Sequence, residues 1–346
     1  MIFAIILLVV LLFSLLINFA QFISHALNFN HSFTPGMTRD VGPKLEECLL
    51  KDNDADDKIA VVSVNGIITG SMADQAGNNL VDVIKAQLKR AKEDKHVKAV
   101  ILKVDSPGGE VMASDEINKA IKRFQDKSGK PVVCSMGSLA ASGGYYISAP
   151  CRWIVANELT ITASIGVIME TLNYRGLMDK VGVEPNVYKS GKFKDMLSGM
   201  RNTNEIPPEE HAMVQKLIND TYDKFKGVVR DGRAQAHALN KTDGNPLALD
   251  WESYADGRVL SGPDALKLGF VDQLGDFDDA VKTTEKIAGI SSANLVEYRE
   301  RYDIGDFLHM FGQSESAAHN IKLDLGMDLP KLEAGQLYFL SPTLVN

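Results

Sequence analysis

Segments typical of β-strands and segments typical of helices alternate along most of the chain, and this alternation constrains the fold more than any other feature. Apolar β-rich runs at residues 59–68 and 99–104 are each followed by a stretch with apolar residues at helical spacing. Further strands are predicted at 131–135, 153–156 and 185–188, and further helices at 139–149 and 208–233. This alternation predicts an α/β fold with a largely parallel sheet and helices on its faces.

An apolar segment precedes the alternating region. Residues 2–23 contain no charged side chain and are rich in Ile, Leu, Val and Phe. As a helix the segment would be about 33 Å long, against about 30 Å for the hydrocarbon core of a bilayer. We therefore predict a transmembrane anchor over residues 1–23. A cleaved signal peptide is the alternative, although the basic n-region is missing, and the flanking Lys and Arg residues do not decide the orientation.

The remaining boundaries follow from composition. Residues 24–57 are polar and end in an acidic run, which predicts a solvated tether before a folded domain at 58–300. The pattern weakens over 301–346, which we predict to be a linker and tail. A net charge of -8 without a basic cluster argues against nucleic-acid binding. The sequence contains no phosphate-binding loop motif, so no bound nucleotide is predicted. The three cysteines lack metal-ligand spacing, so no cofactor or metal is predicted.

Two segments carry candidate chemistry. Ser142 lies in the small-residue run Ser138–Tyr146, and Lys194 ends the run Lys189–Lys194. A serine hydroxyl needs a neighbouring base, and the seven histidines lie in polar surroundings away from glycine-rich turns. Lysine is therefore the favoured base, provided that burial lowers its pKa from about 10.4. A Ser-His-Asp triad remains the alternative, since triad members meet in space and not in sequence.

Glycines near these segments supply candidate oxyanion donors. Gly143 directly follows Ser142, so its backbone N–H can be exposed without obstruction by a Cβ atom. A Pro-Gly-Gly turn after the predicted strand at 99–104 offers a second donor, for which Gly109 is the candidate. The hydroxyl of Ser164, on an apolar stretch, could hydrogen-bond the amine of Lys194.

Several motifs occur together in one order along the chain. They are Asp105–Gly109, Ser138–Tyr146, Ser164–Val167, Tyr188–Asp195, Ala255–Gly262 and Leu268–Gly275. In these motifs the chain resembles the signal peptide peptidase A family, serine/lysine peptidases with the Clp protease and crotonase fold of repeated β-β-α units. The resemblance covers roughly residues 58–290 and leaves out the tail.

The resemblance implies a role for each candidate. Ser142 would be the nucleophile and Lys194 the general base, with Lys189 and Lys192 as rivals in the same loop. Ser164 would support the lysine. Gly109 and Gly143 would form the oxyanion hole.

The resemblance also implies a function. The family cuts remnant signal peptides and other hydrophobic peptides at the membrane, so we expect a membrane-anchored serine endopeptidase whose catalytic domain faces the non-cytoplasmic side. Short members form homo-oligomers in which adjoining protomers can each supply one residue of the dyad. The alternatives are a catalytically silent membrane scaffold and a crotonase-type acyl-CoA enzyme. For the apolar end of the tail, three roles stay open: an inhibitory segment, a self-processed segment or a cap on the oligomer.

Overall fold

The structure is a computed structural model that describes residues 11, 13–19, 42–71, 78–301 and 338–340. The chain divides into two units, Met1–Val41 and Gly42–Asn346. In the first unit, residues 13–19 are helical, and most of the predicted anchor at 1–23 lies outside the described residues. Within the described ranges, no helix has the length and apolar character needed to cross a membrane.

Eleven strands are described in the second unit. They are β1 (Leu45–Lys51), β2 (Lys58–Asn65), β3 (Val97–Ser106), β4 (Gly108–Glu110), β5 (Val132–Ala141), β6 (Trp153–Ala156), β7 (Ile161–Ala163), β8 (Val259–Ser261), β9 (Gln273–Leu274), β10 (Asn294–Glu300) and β11 (Tyr338–Leu340). The α-helices are α1 (Leu80–Glu93), α2 (Val111–Ser128), α3 (Gly143–Ser148), α4 (Arg175–Val181), α5 (Pro208–Asn240), α6 (Gly262–Lys267) and α7 (Phe277–Ala288). Short 3-10 turns lie at Thr203–Glu205, Lys241–Asp243 and Trp251–Tyr254.

Nine of these strands form one mixed sheet. Its main order is β1-β10-β2-β3-β5-β6-β9, and β7 pairs with both β5 and β8. The β1–β10 and β7–β8 pairs are antiparallel, whereas the other pairs of this sheet are parallel. The predicted α/β class with a parallel-rich sheet is therefore confirmed. Strands β4 and β11 form a separate antiparallel pair.

The core lies on both faces of the central strands. Side chains of β2 and β3 such as Val62 and Leu102 face the main core, to which α5 contributes Phe225. Their neighbours point to the opposite face, where Ile101 packs in a smaller cluster with Val281 of α7. Burial on both faces explains why the central strands are nearly continuous apolar runs.

Four local predictions differ from the structure. The predicted helix at 139–149 begins only at Gly143, because 139–141 continues β5 and pairs with β7. Residues 185–188, predicted as a strand, form none and are largely exposed. The predicted helix at 208–233 continues to Asn240. Strand β1 lies inside the predicted tether. It forms because its backbone pairs with β10, a distant segment that the local sequence does not indicate.

A buried ion pair fixes the second half of α5 on the sheet. The Arg233 guanidinium donates to the Asp272 carboxylate, and their side chains are 0% and 1% exposed. Asp272 also accepts from the Ile154 N–H of β6 at 2.8 Å. Removing one member of such a pair leaves an uncompensated buried charge, so the position of α5 is strongly determined.

Candidate active site

Ser142 occupies a sharp turn between a strand and a helix. Strand β5 ends at Ala141 and α3 begins at Gly143, so Ser142 alone makes the connection, with φ of 53°. Its N–H donates to the Ala163 carbonyl at 2.7 Å, and its own carbonyl accepts from Tyr146 N–H at 2.8 Å. Such a turn presents a serine hydroxyl at the end of a sheet.

The two glycines predicted as oxyanion donors lie side by side. Gly143 is the first residue of α3, where backbone N–H groups have no partner within the helix. A Cβ atom on Gly143 would stand 3.0 Å from Gly109 N and 3.0 Å from Gly108 Cα. The structure thus brings Gly109 and Gly143 together next to Ser142. Two backbone donors near one hydroxyl can stabilise the oxyanion of an acyl-transfer reaction.

Strand β4, which carries Gly109, is held closely by the loop that follows β2. Ile68 N–H donates to Gly108 O at 2.8 Å, and Glu110 N–H donates to Ile68 O at 2.7 Å. A Cβ atom at Gly109 would lie only 1.9 Å from Ile68 O, so this contact admits glycine alone. The Glu110 carboxylate accepts from Thr69 Oγ1 at 2.6 Å and from Gly70 N–H at 2.9 Å.

Ser164 lies beside the turn of Ser142. It follows Ala163, whose carbonyl accepts from the Ser142 N–H, and its own N–H donates to Arg258 O at 2.9 Å. Ser164 is 5% exposed and has φ of 52°. The structure therefore places both serines at one end of the sheet.

Lys194 lies elsewhere, in a segment that we call the arm, residues 166–209. Every residue of the arm is described, and none is buried. Lys194 itself is exposed, and among the described residues no hydrogen bond or ion pair joins its side chain to Ser142 or Ser164. In the described part of one chain, the predicted contact between Ser142 and Lys194 is therefore not made.

The three lysines of this loop differ in their partners. Lys189 Nζ lies 2.6 Å from Asp195 Oδ1, and Lys192 Nζ lies 3.5 Å from Glu209 Oε1. Over the described part of the chain, the ammonium of Lys194 has no carboxylate within ion-pair distance. The three side chains are therefore held differently, and Lys194 is the lysine of this loop that stands outside these two ion pairs.

Strand β11, near the C-terminus, lies on the strand of Gly109. Strand β11 runs antiparallel to β4, with Tyr338 opposite Glu110 and Phe339 opposite Gly109. On its other side, the backbone of Tyr338 exchanges two hydrogen bonds of 3.2 Å with Ile168. An extended segment therefore fits between β4 and Ile168.

Sequence analysis did not single out Glu110 or Ile168. Glu110 follows the Pro-Gly-Gly turn and directly precedes α2. An acidic residue at the start of a helix is the one sequence signal that could have drawn attention to it. Ile168 had no signal of its own, because its contact with Tyr338 joins segments far apart in sequence.

Known proteins similar to this chain include peptidases. The profile described as Peptidase family S49 matches residues 124–291. The protein of Enterococcus faecium named "Putative signal peptide peptidase SppA" is 38% identical over 263 residues, which cover 74% of this chain and 71% of that protein. Protease 4 of Salmonella typhi is 35% identical over 72% of this chain, and the match covers 38% of its own length. The chloroplastic serine protease SPPA of Arabidopsis thaliana is 31% identical over 75% of this chain and 37% of its own.

The fold, the strand-to-helix serine and these relatives define a serine peptidase of the α/β class. The chain belongs to peptidase family S49, in its signal peptide peptidase A branch.

Proposed function

We propose that this protein is a membrane-anchored serine endopeptidase that degrades remnant signal peptides or other hydrophobic peptides near the membrane. The observation that carries the proposal is the convergence of Gly109 and Gly143 beside the turn of Ser142. The parallel-rich sheet and the family support a catalytic domain with the Clp protease and crotonase fold. The anchor at 1–23, an expectation from sequence, would hold this domain on the non-cytoplasmic side.

The proposed reaction uses side chains and backbone of this protein alone. Ser142 Oγ attacks the peptide carbonyl carbon while its proton passes to the neutral amine of Lys194. The N–H groups of Gly109 and Gly143 bind the oxyanion. As the C–N bond breaks, Lys194 returns the proton to the leaving amine, and an acyl-Ser142 ester remains. Lys194 then takes a proton from a water molecule that attacks the ester carbon, the bond from this carbon to Ser142 Oγ breaks, and the lysine ammonium returns the proton to Ser142 Oγ. The Ser164 hydroxyl orients the lysine amine throughout.

We further propose that a neighbouring copy of the chain supplies Lys194. The arm exposes large apolar side chains that one chain leaves uncovered: Leu172 is 86% exposed, Leu177 63%, Val181 65% and Tyr188 90%. Apolar surface of this kind favours association. Since Lys194 lies in the same arm and has no contact with Ser142, docking of the arm on an adjoining copy would cover the apolar side chains and complete the dyad. The active form is then a homo-oligomer.

The position of β11 suggests how a substrate binds. Strand addition relies on backbone hydrogen bonds, which are available to peptides of many sequences. A substrate in the place of β11 would pair with β4 and bring its carbonyl groups next to Gly109. This mode suits an enzyme that clears hydrophobic peptides of varied sequence, and it makes the tail a competitor for the groove.

The proposal is tested by labelling the serine during turnover. The detergent-solubilised protein is incubated with a hydrophobic signal peptide, with and without a fluorophosphonate that reacts with activated serine hydroxyls. We expect cleavage without the reagent, at least tenfold less cleavage with it, and one adduct on the peptide containing Ser142. An adduct on another serine would contradict the nucleophile assignment, and absence of cleavage from a folded oligomer would favour the scaffold function.

Removal of β11 is expected to lower the KM for peptide substrates. If the tail leaves the groove open about a tenth of the time, a chain that ends at residue 336 should show about a tenfold lower KM with unchanged kcat. The matched control is a chain that ends at residue 340, which keeps β11 and should behave like the full chain. Peptide cleavage kinetics on both truncations provide the measurement. Equal KM values for the two would show that β11 does not compete with substrate.

A further inference from the structure

The arm, residues 166–209, contains no buried residue, so an apolar core of its own does not hold its shape. Polar contacts, including contacts with the buried Glu210 of α5, hold it instead. The loop that carries Lys194 turns back on itself between Lys189 and Arg201 and then reaches the first turn of α5. Three charged residues connect the loop to that turn: Asp195, Arg201 and Glu210. We call this group the carboxylate clamp.

The clamp is a continuous set of contacts. Arg201 Nη1 donates to Glu210 Oε2 at 2.7 Å and lies 3.6 Å from Asp195 Oδ1. The second carboxylate oxygen of Glu210 accepts from the Leu197 N–H at 3.1 Å. Asp195, the residue after Lys194, is also held by Lys189 at 2.6 Å. The backbone on both sides of Lys194 is thereby tied to α5.

Burial distinguishes Glu210 from its neighbour. The Glu210 side chain is 4% exposed, whereas the Glu209 side chain is 63% exposed and lies 3.5 Å from Lys192. Burial alone would raise the pKa of Glu210, but hydrogen bonds from Arg201 and from Leu197 N–H hold that pKa below its usual range. A hydrogen bond from Lys189 likewise lowers the pKa of Asp195. Both carboxylates are thus charged at neutral pH.

The clamp also has a rigid base. Helix α5 contributes Phe225 and Val229 to the main core and is fixed further along by the buried pair of Arg233 with Asp272. Glu210 at its first turn therefore occupies a defined position relative to the sheet. A loop attached to that position holds its shape before any partner docks, which lowers the entropic cost of docking.

We propose that the carboxylate clamp is a positioning device that holds the loop of Lys194 in the conformation needed to deliver its amine to Ser142. This inference rests on the proposed function. None of the three clamp residues touches the substrate; they act through the backbone at Lys194. A site held by a rigid supporting shell loses rate when that shell loosens, and a misplacement of about 1 Å can cost about 100-fold.

The test compares two adjacent glutamates. Glu210→Gln removes the charge of the clamp with little change in volume, and Glu209→Gln makes the same change on an exposed side chain one residue earlier. We expect Glu210→Gln to lower kcat by about 10- to 100-fold, with KM, oligomer size and melting temperature close to those of Glu209→Gln. The measurements are steady-state kinetics on a hydrophobic peptide, light scattering and thermal unfolding.

Two results would overturn the inference. One is a kcat for Glu210→Gln within twofold of the Glu209→Gln value. The other is a lower kcat that comes with a changed oligomer or a lower melting temperature, since that pattern shows a structural role only. If Glu210→Gln does not fold, Asp195→Asn tests the other end of the clamp and should likewise lower kcat and leave KM unchanged; an unchanged kcat would refute the clamp.

Adding Lys194→Ala to the same kinetic assay separates failure of this inference from failure of the proposed function. Wild-type cleavage that is lost in Lys194→Ala but retained in Glu210→Gln refutes the clamp and leaves the peptidase mechanism in place. Full cleavage by Lys194→Ala refutes the proposed base, and with it the clamp.

Discussion

Two inactive variants are expected to regain activity when they share an oligomer. Ser142→Ala and Lys194→Ala should each lower peptide cleavage by about a thousandfold or more, because each removes one half of the nucleophile and base pair. If the lysine comes from an adjoining copy, a mixed oligomer contains interfaces with an intact Ser142 on one side and an intact Lys194 on the other. In a head-to-tail ring assembled from equal amounts of the two variants, about a quarter of the interfaces have this composition.

The experiment uses co-expression with two different affinity tags and sequential purification, so that only mixed oligomers are assayed. Recovery to about a quarter of the wild-type rate would establish a dyad shared between copies. Activity no higher than that of either variant alone would place both residues in one chain. Lys194→Arg should be as inactive as Lys194→Ala, because a guanidinium stays protonated, whereas Lys192→Ala should retain activity.

Alanine at Gly109 is expected to lower kcat by at least about 10² to 10³-fold, the usual effect of losing one oxyanion donor. The added Cβ atom would lie 1.9 Å from Ile68 O, and the atoms it meets are backbone atoms that cannot rotate away. Strand β4 must therefore move, and its N–H moves with it. The side chains of the nucleophile and the base are unchanged, so the fall in kcat reports the lost donor, while KM reports any lost pairing of substrate with β4.

Gly227→Ala provides the matched control for this substitution. Gly227 lies within α5, and the nearest atom to an added Cβ is the flexible end of Arg230 at 4.0 Å. Its activity and oligomer size should match those of the wild type. Gly109→Ala activity within tenfold of the Gly227→Ala value, measured on the same peptide, would rule out Gly109 as a donor.

The parts of the fold that could be predicted from sequence are those determined by local pattern. Strand β6 has the predicted bounds, and the alternation of strands and helices gave the parallel-rich sheet. The cluster of Ser142 with Gly143 also follows from local sequence, because small residues at a strand end permit a tight turn into a helix.

The parts that could not be predicted depend on contacts between distant segments. Residues 139–141 are apolar and small enough for a helix, and only pairing with β7 makes them a strand. Cys151, which follows Pro150, is fully buried, and Arg233 of the distant helix α5 donates to its carbonyl. The pairing of β11 with β4 has no signature in either segment.

The candidate site shows the same division. Sequence pattern could nominate Ser142, Ser164, Gly109 and Gly143 separately, but only the sheet shows that they lie at one end of it. For Lys194, sequence reasoning chose among three lysines by resemblance. Among the described residues, Lys189 and Lys192 each contact a carboxylate and Lys194 does not, a difference that only the contacts of the loop reveal.

Backbone conformation around the site has a consequence for evolution of this protein. Six non-glycine residues in the described ranges have positive φ, and four of them are Ser142, Ala163, Ser164 and Leu197. Each such residue lowers the free energy of unfolding by about 1 to 3 kcal/mol, and these four residues lie where the proposed chemistry takes place. Substitutions that relax these residues would make the protein harder to unfold while weakening it as a catalyst. Selection for heat resistance alone would therefore tend to erode activity, and stabilising changes compatible with function should be sought in the sheet and in α5.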